Sequence, residues 1–330
     1  MVPNTWLMAH TRCYRGGALS DEDFPLDQVS EHLTDASALV WVDLCAPDGE
    51  QLQLVADELG LHRLAVEDAA QGGQRPKLDR YPGHDFLSAY SVHLDVDSGQ
   101  LVTGEIHAFI TPAPLVTVRG DDSFALDALM AQWDDEEGLT KFGVGALLHG
   151  LLDVIVDGHF AAVESLDEQI EQLEDLLFDE RPRDQSVQRR SFELRKSLVK
   201  LRRVVLPMRE VVNTAMRRDT GLVPDELLPY YQDVYDHVLR ATEWTESLRD
   251  LVNTIVETNL SIQGNRLNVI TKKVTSWAAI IAVPTAVTGF YGQNVPYPGF
   301  AHQSGFLTSS LLILALSGAL YLAFKHLDWL

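Results

Sequence analysis

The sequence predicts an α+β membrane protein, with an N-terminal α/β domain, a long helical stalk and two C-terminal transmembrane helices. The first observation is an uncharged stretch: residues 274–324 contain no Asp, Glu, Lys or Arg, although the 330-residue chain has 26 basic and 48 acidic side chains. The second is a series of short β-type runs in residues 1–120. The third is the helical spacing of apolar residues from residue 141 onward.

Residues 1–140 are expected to form a cytoplasmic α/β domain with a partly antiparallel sheet. A Ser98-Gly99 turn predicts a hairpin, and Asp48 after Pro47 is a plausible helix start. No glycine-rich phosphate loop, Ser/His/Asp triad or Cys/His cluster is found in the sequence of this domain, so we predict that the protein is not an enzyme. The predicted strands are 5–14, 37–44, 85–94, 101–110 and 115–118, and the predicted helices are 48–59 and 62–70.

Composition narrows the class of partner. Cys13 and Cys45 are the only cysteines in the sequence, which fits a reducing compartment and no disulfide framework. The net charge of −22 argues against nucleic acid as a partner, because nucleic acid selects basic surfaces. An acidic surface would attract cations, although the simpler explanation is that it keeps the protein soluble.

Residues 141–224 are expected to form a cytoplasmic helical hairpin. Ten acids and no base lie between residues 153 and 180, and ten bases against three acids follow the Arg181-Pro182-Arg183 break. Two antiparallel helices joined there would pair opposite charges; attraction of cations by the acidic helix is the alternative. His149, Asp153 and Asp157 are spaced four residues apart and could form a metal-binding face, although solvated helix faces often show this spacing.

The third long helix is expected to begin near Asp225 and to continue into the membrane. No proline occurs between residues 230 and 283, and Pro284 should kink the helix within the bilayer. A membrane crossing needs about 20 helical residues, so the uncharged stretch accommodates two spans. The predicted segments are a stalk helix (225–273), a pore-lining span (274–291), an extracytoplasmic loop (292–304), a second span (305–324) and a cytoplasmic tail (325–330).

The charges that flank the spans predict the orientation. Lys272 and Lys273 precede the first span, Lys325 follows the second, and the loop between them contains no Lys or Arg. Because Lys and Arg are retained on the cytoplasmic side, both termini should face the cytoplasm. Residues 1–20 have no apolar core of the signal-peptide type. We therefore expect a multi-pass protein of the cell (inner or plasma) membrane, in contact with the lipid bilayer.

A polar seam follows the long helix at coiled-coil spacing. None of its thirteen positions carries a large aliphatic or aromatic residue, whereas an ordinary coiled coil has Leu, Ile or Val there. Close helix packing through small residues and a wet, pore-facing surface would both explain this. Two spans cannot enclose a conduit, so a pore requires several copies. The positions are Ser247, Asp250, Thr254, Glu257, Ser261, Gly264, Asn268, Thr271, Thr275, Ala278, Ala282, Thr285 and Gly289.

At Tyr291-Gly292-Gln293-Asn294 the chain resembles the CorA family of divalent-cation channels. The family signature is Tyr-Gly-Met-Asn at the outer end of the first of two C-terminal spans. Four other segments look like family segments and occur in family order, so the resemblance covers nearly the whole chain. They are Val-Glu-Asp at 66–68, Gln-Arg-Pro-Lys at 74–77, Pro-Met-Arg-Glu-Val at 207–211 and Pro-Tyr-Tyr-Gln-Asp-Val-Tyr-Asp-His at 229–237.

The resemblance implies a homopentameric funnel with an α/β/α cytoplasmic domain. Asn294, with Gly292 and Gln293, would form a selectivity filter for a hydrated cation, which suits Mg2+ because it dehydrates reluctantly. Regulatory Mg2+ would bind between neighbouring cytoplasmic domains through Asp68 and Asp233, with Glu67 adjacent. The family's pore positions match Asn268, Thr271, Thr285 and Gly289; the seam adds Thr275, Ala278 and Ala282, and Val274 is the best match for a hydrophobic constriction.

Two departures from the family pattern concern the transported ion. Gln293 replaces the motif methionine, and the loop has no acid where many members carry Glu. We predict a passive Mg2+ channel, also open to Co2+ or Ni2+, that is gated by internal metal. A Zn2+ transporter of the same fold is the nearest alternative. A membrane-anchored scaffold or sensor is the alternative from another class, but its seam should contain large hydrophobic residues.

Overall fold

The computed structural model describes residues 9–35, 37–95, 99–135, 138–177, 184–217 and 221–330. The chain divides into two compact units, Met1–Ile255 and Val256–Leu330. The boundary falls inside one continuous helix, which spans Leu228–Tyr291. This helix begins three residues after the predicted start at Asp225. Pro284 lies within it, and the kink there stays a prediction.

A single mixed sheet organises the first unit. Its order is β2-β1-β3-β7-β6-β5-β4; β3 and β7 are parallel, and the other neighbours are antiparallel. The predicted partly antiparallel sheet is confirmed. The strands are β1 (Ala9–Arg15), β2 (Ala18–Glu22), β3 (Ala38–Cys45), β4 (Lys77–Tyr81), β5 (His84–Asp95), β6 (Gln100–Ile110) and β7 (Pro114–Arg119).

Two strands were missed by the sequence prediction, and both are at the sheet edges. The five residues of β2 are all exposed, and β4 has the polar sequence Lys-Leu-Asp-Arg-Tyr. Edge strands need no alternation of apolar residues, so the usual signal is absent. The part of the predicted first strand before Ala9 lies outside the described residues, as does Ser98 of the predicted turn.

Helices cover both faces of the sheet. On β3, Val40 and Val42 face the core beneath α2 and α3, whereas Trp41 faces the opposite core, because side chains alternate along a strand. The second core also contains residues of α4 to α7. The α/β/α order implied by the resemblance is therefore observed in this unit. The helices are α1 (Val29–His32), α2 (Gly49–Leu59), α3 (Arg63–Gln71), α4 (Leu126–Asp135), α5 (Val144–Leu177), α6 (Asp184–Ala215) and α7 (Leu228–Tyr291).

The predicted ion pairs between the acidic and the basic helix are not found between the described parts of α5 and α6. The helices do contact each other, and Arg190 donates to Oε1 of Gln172 at 3.0 Å. Arg202 instead forms an ion pair with Glu246 of α7. Each helix buries an apolar face, because charged side chains are costly to remove from water. The predicted break at 181–183 lies outside the described residues.

The second unit contains the end of α7, a loop and α8 (Gln303–His326). By length and composition α5, α7 and α8 could each cross a membrane. The apolar window of α5 is 67% buried inside the protein, against 6% for α7 and 0% for α8. We therefore assign α5 to the core of the first unit and retain α7 and α8 as the candidate spans.

Candidate functional site

The loop after α7 is folded back on the end of the helix by backbone and aromatic contacts. The amide of Gly292 donates to the carbonyl oxygen of Thr288 at 2.8 Å, and the hydroxyl of Tyr297 donates to the carbonyl oxygen of Tyr291 at 3.0 Å. The Tyr291 and Tyr297 rings meet edge to face at 4.9 Å. A Cβ at Gly292 would lie 2.9 Å from the Thr288 oxygen, so this turn favours glycine. The segment that carries Asn294 is thus held at a defined place.

The filter and seam residues are exposed in the single chain. Gly292, Gln293 and Asn294 are exposed, and so is every predicted pore position from Asn268 to Gly289. On the same helix Ser276 and Val287 are buried, which puts them on a different face from the seam. A continuous exposed stripe of small and polar side chains is what several copies need to enclose an aqueous path.

Asp68, expected to bind regulatory metal, is held by its own chain. Its Oδ1 accepts a hydrogen bond from Nε2 of Gln74 at 3.2 Å, and its Oδ2 pairs with Nζ of Lys77 at 2.7 Å. Its neighbour Glu67 is exposed and accepts from Gln71 at 3.2 Å. Both oxygens of Asp68 therefore have donors before any metal arrives.

Lys77 connects two carboxylates. Its ammonium lies 2.7 Å from Asp68 and 2.8 Å from Asp79, and its side chain is 19% exposed. Burial lowers the pKa of Lys77, but its hydrogen bonds to Asp68 and Asp79 outweigh that effect, and the pKa is raised. Lys77 is thus firmly charged. It belongs to the family-like Gln-Arg-Pro-Lys segment, but nothing in the sequence pattern predicts its contacts with Asp68 and Asp79.

Asp233 lies on α7 near a second cluster of potential ligands. One ligand atom from each of Asp153, Asp157 and His237 lies within 4.8 Å of the others. Burial raises the pKa of Asp157, and the nearby charges of Asp153 and Asp233 raise it further. Two carboxylates and an imidazole are a donor combination that divalent transition metals accept readily. No hydrogen bond or ion pair joins Asp68 to Asp233 within the described part of this chain.

His149 does not belong to this cluster, contrary to the metal-face alternative. It is buried, with its ring 5.6 Å from those of Tyr230 and Tyr231. His237, from a helix about eighty residues away in sequence, takes its place beside Asp153 and Asp157. The sequence did contain a signal for His237 as a potential ligand, because it follows Asp233 by one helical turn in the 229–237 segment and so lies on the same face of α7.

Comparisons with known proteins agree with this architecture. A family model described as CorA-like Mg2+ transporter protein matches residues 36–326. The cobalt/magnesium transport protein CorA of Thermotoga maritima is 27% identical over 299 residues, covering 90% of this chain and 85% of the relative. The zinc transport protein ZntB of Pectobacterium carotovorum is 24% identical over 272 residues, covering 81% and 80%. The complete structure of the CorA magnesium transporter from Methanocaldococcus jannaschii superposes with a TM-score of 0.82 at 21% identity, covering 98% of this chain and 99% of that one.

Proposed function

The chain belongs to the CorA-like Mg2+ transporter protein family, and from that premise we propose that it is a passive Mg2+ channel gated by internal metal. Family membership makes it a divalent-cation transporter. The observation that carries the finer proposal is the exposed polar stripe on α7, which ends at the loop bearing Asn294. Neither a scaffold nor a sensor needs such a stripe.

The pore in this proposal is enclosed by several copies of α7, five by resemblance to the family. Each copy contributes the same face, and a head-to-tail interface that closes on itself gives a ring. The constriction would lie near Val274, which is 63% exposed in the single chain. Apolar side chains on the other faces of α7 and on α8 would meet lipid or neighbouring copies.

The filter in this proposal is a ring of Asn294 side chains at the outer mouth. Amide oxygens can hold a hydrated Mg2+ without stripping its tightly bound water. The loop contacts of Tyr297 would maintain the ring spacing. The ammonium of Lys272, before the first span, lies 5.9 Å from the ring of Trp329, after the second span. The two ends of the hairpin, with Lys272 at one and Lys325 at the other, therefore lie on the same side, which we propose is the cytoplasmic side.

Gating in this proposal uses metal bound between cytoplasmic units. Asp68 of one chain and Asp233 of the next would share an ion, with Glu67 adjacent to Asp68 and the Asp153, Asp157 and His237 cluster beside Asp233. Metal held only in the packed, symmetric ring would favour that ring over an open one. High internal Mg2+ should therefore close the channel.

The choice between Mg2+ and Zn2+ rests on Gln293 and on the acid-free loop. A relative that transports zinc supports the alternative, and the imidazole of His237 suits Co2+, Ni2+ or Zn2+ better than Mg2+. The amide and carbonyl oxygens of the mouth suit a hydrated Mg2+, whereas Gln293 and the missing acid are departures from the family pattern that leave the zinc alternative open.

The test is metal-specific flux into liposomes that contain this protein alone, with mass measurement of the particle in mild detergent. We expect Mg2+ flux without a proton gradient and a particle of five chains. Flux of Zn2+ alone, dependent on a proton gradient, would establish the zinc alternative. A monomer or dimer without flux of any metal would contradict the channel and favour the scaffold.

A further inference from the structure

We propose that Lys77 acts as a tethered cation that competes with divalent metal for Asp68 and so sets the metal concentration at which the channel responds. The inference rests on the proposed regulatory role of Asp68. It concerns a residue of this chain that is neither a metal ligand nor part of the pore. Its starting point is that the carboxylate expected to receive metal already has a counter-ion.

Lys77 already holds the carboxylate oxygen that a metal would need. The ammonium of Lys77 lies 2.7 Å from Oδ2 of Asp68, within the range of charge-assisted hydrogen bonds. A metal bound to that oxygen would lie close to the ammonium, and the two positive charges would repel each other. The other oxygen, Oδ1, accepts from Gln74. Metal that binds Asp68 must therefore compete with the Lys77 ammonium and the Gln74 amide for the carboxylate, and repulsion between the two cations favours withdrawal of Lys77.

Lys77 can withdraw without losing all its partners. It also contacts Oδ2 of Asp79 at 2.8 Å, and its ammonium lies 5.9 Å from the centroid of the Phe86 ring. Asp79 is on the same strand, two residues away, so its side chain projects from the same face of β4. Displacement therefore leaves an ammonium that is still paired rather than a half-buried charge alone. A metal ion can therefore displace Lys77 from Asp68 at a moderate cost in free energy.

The two cations differ in the carboxylates that they can reach. Lys77 pairs only with carboxylates of its own chain, Asp68 and Asp79, whereas a divalent ion could bind Asp68 together with an acid from a neighbouring chain. At low metal concentration Lys77 pairs with Asp68 inside its own chain but makes no bond to a neighbouring chain, so it does not hold the ring closed. At high metal concentration the ion replaces Lys77 and adds a bond between chains. The competition raises the metal concentration needed for closure.

The experiment is limited proteolysis of the full-length protein in mild detergent across a series of Mg2+ concentrations, with the concentration for half-maximal protection as the readout. In Lys77→Gln the competitor is gone, and we expect that concentration to fall about fivefold, the size of a partly exposed ion pair. In Lys77→Arg the charge remains, and the wild-type value should be kept within about twofold. In Asp79→Asn the alternative partner of Lys77 is lost, so the value should rise.

Arg80→Gln is the matched control for a general change in charge. Arg80 lies on the same strand but three residues away, so its side chain projects from the opposite face, where it pairs with Asp85 at 3.4 Å. If Arg80→Gln and Lys77→Gln changed the Mg2+ concentration for half-maximal protection equally, the effect would come from the loss of a positive charge in general and not from the contact with Asp68. That result would overturn the proposal. The proposal would also be overturned if Mg2+ protected the wild type from proteolysis and the half-maximal concentration were unchanged in both Lys77→Gln and Asp79→Asn. If proteolysis of the wild type did not depend on the Mg2+ concentration, the regulatory site itself would be overturned, and the Lys77 inference with it.

Discussion

The two units of this chain differ in how far their apolar side chains are buried. In Met1–Ile255 the sheet and its helices bury two large cores, with Trp41, Phe86 and Leu147 almost wholly inaccessible. In Val256–Leu330, all of which the structure describes, Val287 is the one buried hydrophobic side chain, whereas Phe306 is 73% and Leu314 is 75% exposed. The first unit buries its apolar cores within one chain. The exposed apolar side chains of the second suit contact with lipid and, in the proposed channel, with further copies of the chain.

Charge separates the same two units. In the first, Arg119 donates to both oxygens of the fully buried Asp43, at 3.1 Å from Nε and at 2.8 Å from Nη2. In the second, residues 274–324 contain no Asp, Glu, Lys or Arg. A buried charge is tolerable in the first unit because a partner is fixed beside it, whereas a hydrocarbon surrounding offers none. We therefore expect the first unit to be sensitive to loss of one partner of its buried ion pair, and the second to be sensitive to the introduction of a charge into residues 274–324.

The largest expected effect concerns the exposed mouth of the second unit. Asn294→Ala should abolish metal flux in liposomes, because it removes the amide of the proposed filter, while the oligomer keeps its mass. Gln303→Ala, which removes an exposed amide at the start of α8, is the matched control and should conduct normally. Wild-type flux in Asn294→Ala would remove this residue from the mechanism.

The next effect concerns the buried charge of the first unit. Arg119→Met leaves Asp43 buried without its guanidinium, and we expect the free energy of unfolding to fall by about 3 to 5 kcal/mol. The control is Arg80→Met, which breaks a half-exposed ion pair and should cost at most about 1 kcal/mol. Urea denaturation followed by near-UV circular dichroism measures both. Equal losses in the two variants would show that burial of the Asp43 pair does not matter.

The smallest effect is a pH dependence inside the first unit. His159 is fully buried, and its Nε2 donates to the carbonyl oxygen of Tyr90 at 2.7 Å. Burial lowers its pKa from 6.5 to about 4, against the opposing effect of that hydrogen bond. The unfolded chain therefore binds the proton more readily, and the stabilisation present above pH 6.5 is lost as the pH falls towards 4.

The comparison that isolates His159 is the pH profile of the urea midpoint in wild type and in His159→Gln. The variant can still donate to Tyr90 but does not titrate, so its midpoint should fall less between pH 6.5 and 4. His302→Gln, in the exposed loop of the second unit, is the control. A profile of His159→Gln parallel to that of wild type would show that another group carries the acid sensitivity.

Much of the fold could be predicted because each unit has a strong local pattern. Short β-type runs separated by turn residues identified the five inner strands, and the absence of charge identified the paired apolar segments near α7 and α8. The edge strands β2 and β4 carry no alternation of apolar residues. Helix α4 was not predicted because it is only ten residues long and its buried face consists of Leu126, Leu129 and Trp133. The sequence predicted an acidic helix beside a basic one, but the buried apolar faces decided how α5 and α6 meet.

The candidate site was less predictable because its parts come from distant segments. The spacing of His149 with Asp153 and Asp157 was compatible with a metal face, yet His149 packs against tyrosines and His237 joins the acids instead. The contact of Lys77 with Asp68 crosses from a helix to an edge strand, which no spacing rule anticipates. Family segments mark such residues, but geometry is needed to assign their partners.

The central claim is that two exposed surfaces of the second unit meet different surroundings, water for the seam of α7 and lipid for α8. The most direct test places single cysteines at Thr285 and at Leu314, in a background with Cys45→Ser that keeps the buried Cys13. A charged, membrane-impermeant thiol reagent is then added to liposomes during Mg2+ flux. We predict that the reagent modifies Thr285→Cys and blocks flux, and that it leaves Leu314→Cys unmodified and conducting. Modification of Leu314→Cys, or an unmodified and conducting Thr285→Cys, would contradict the account.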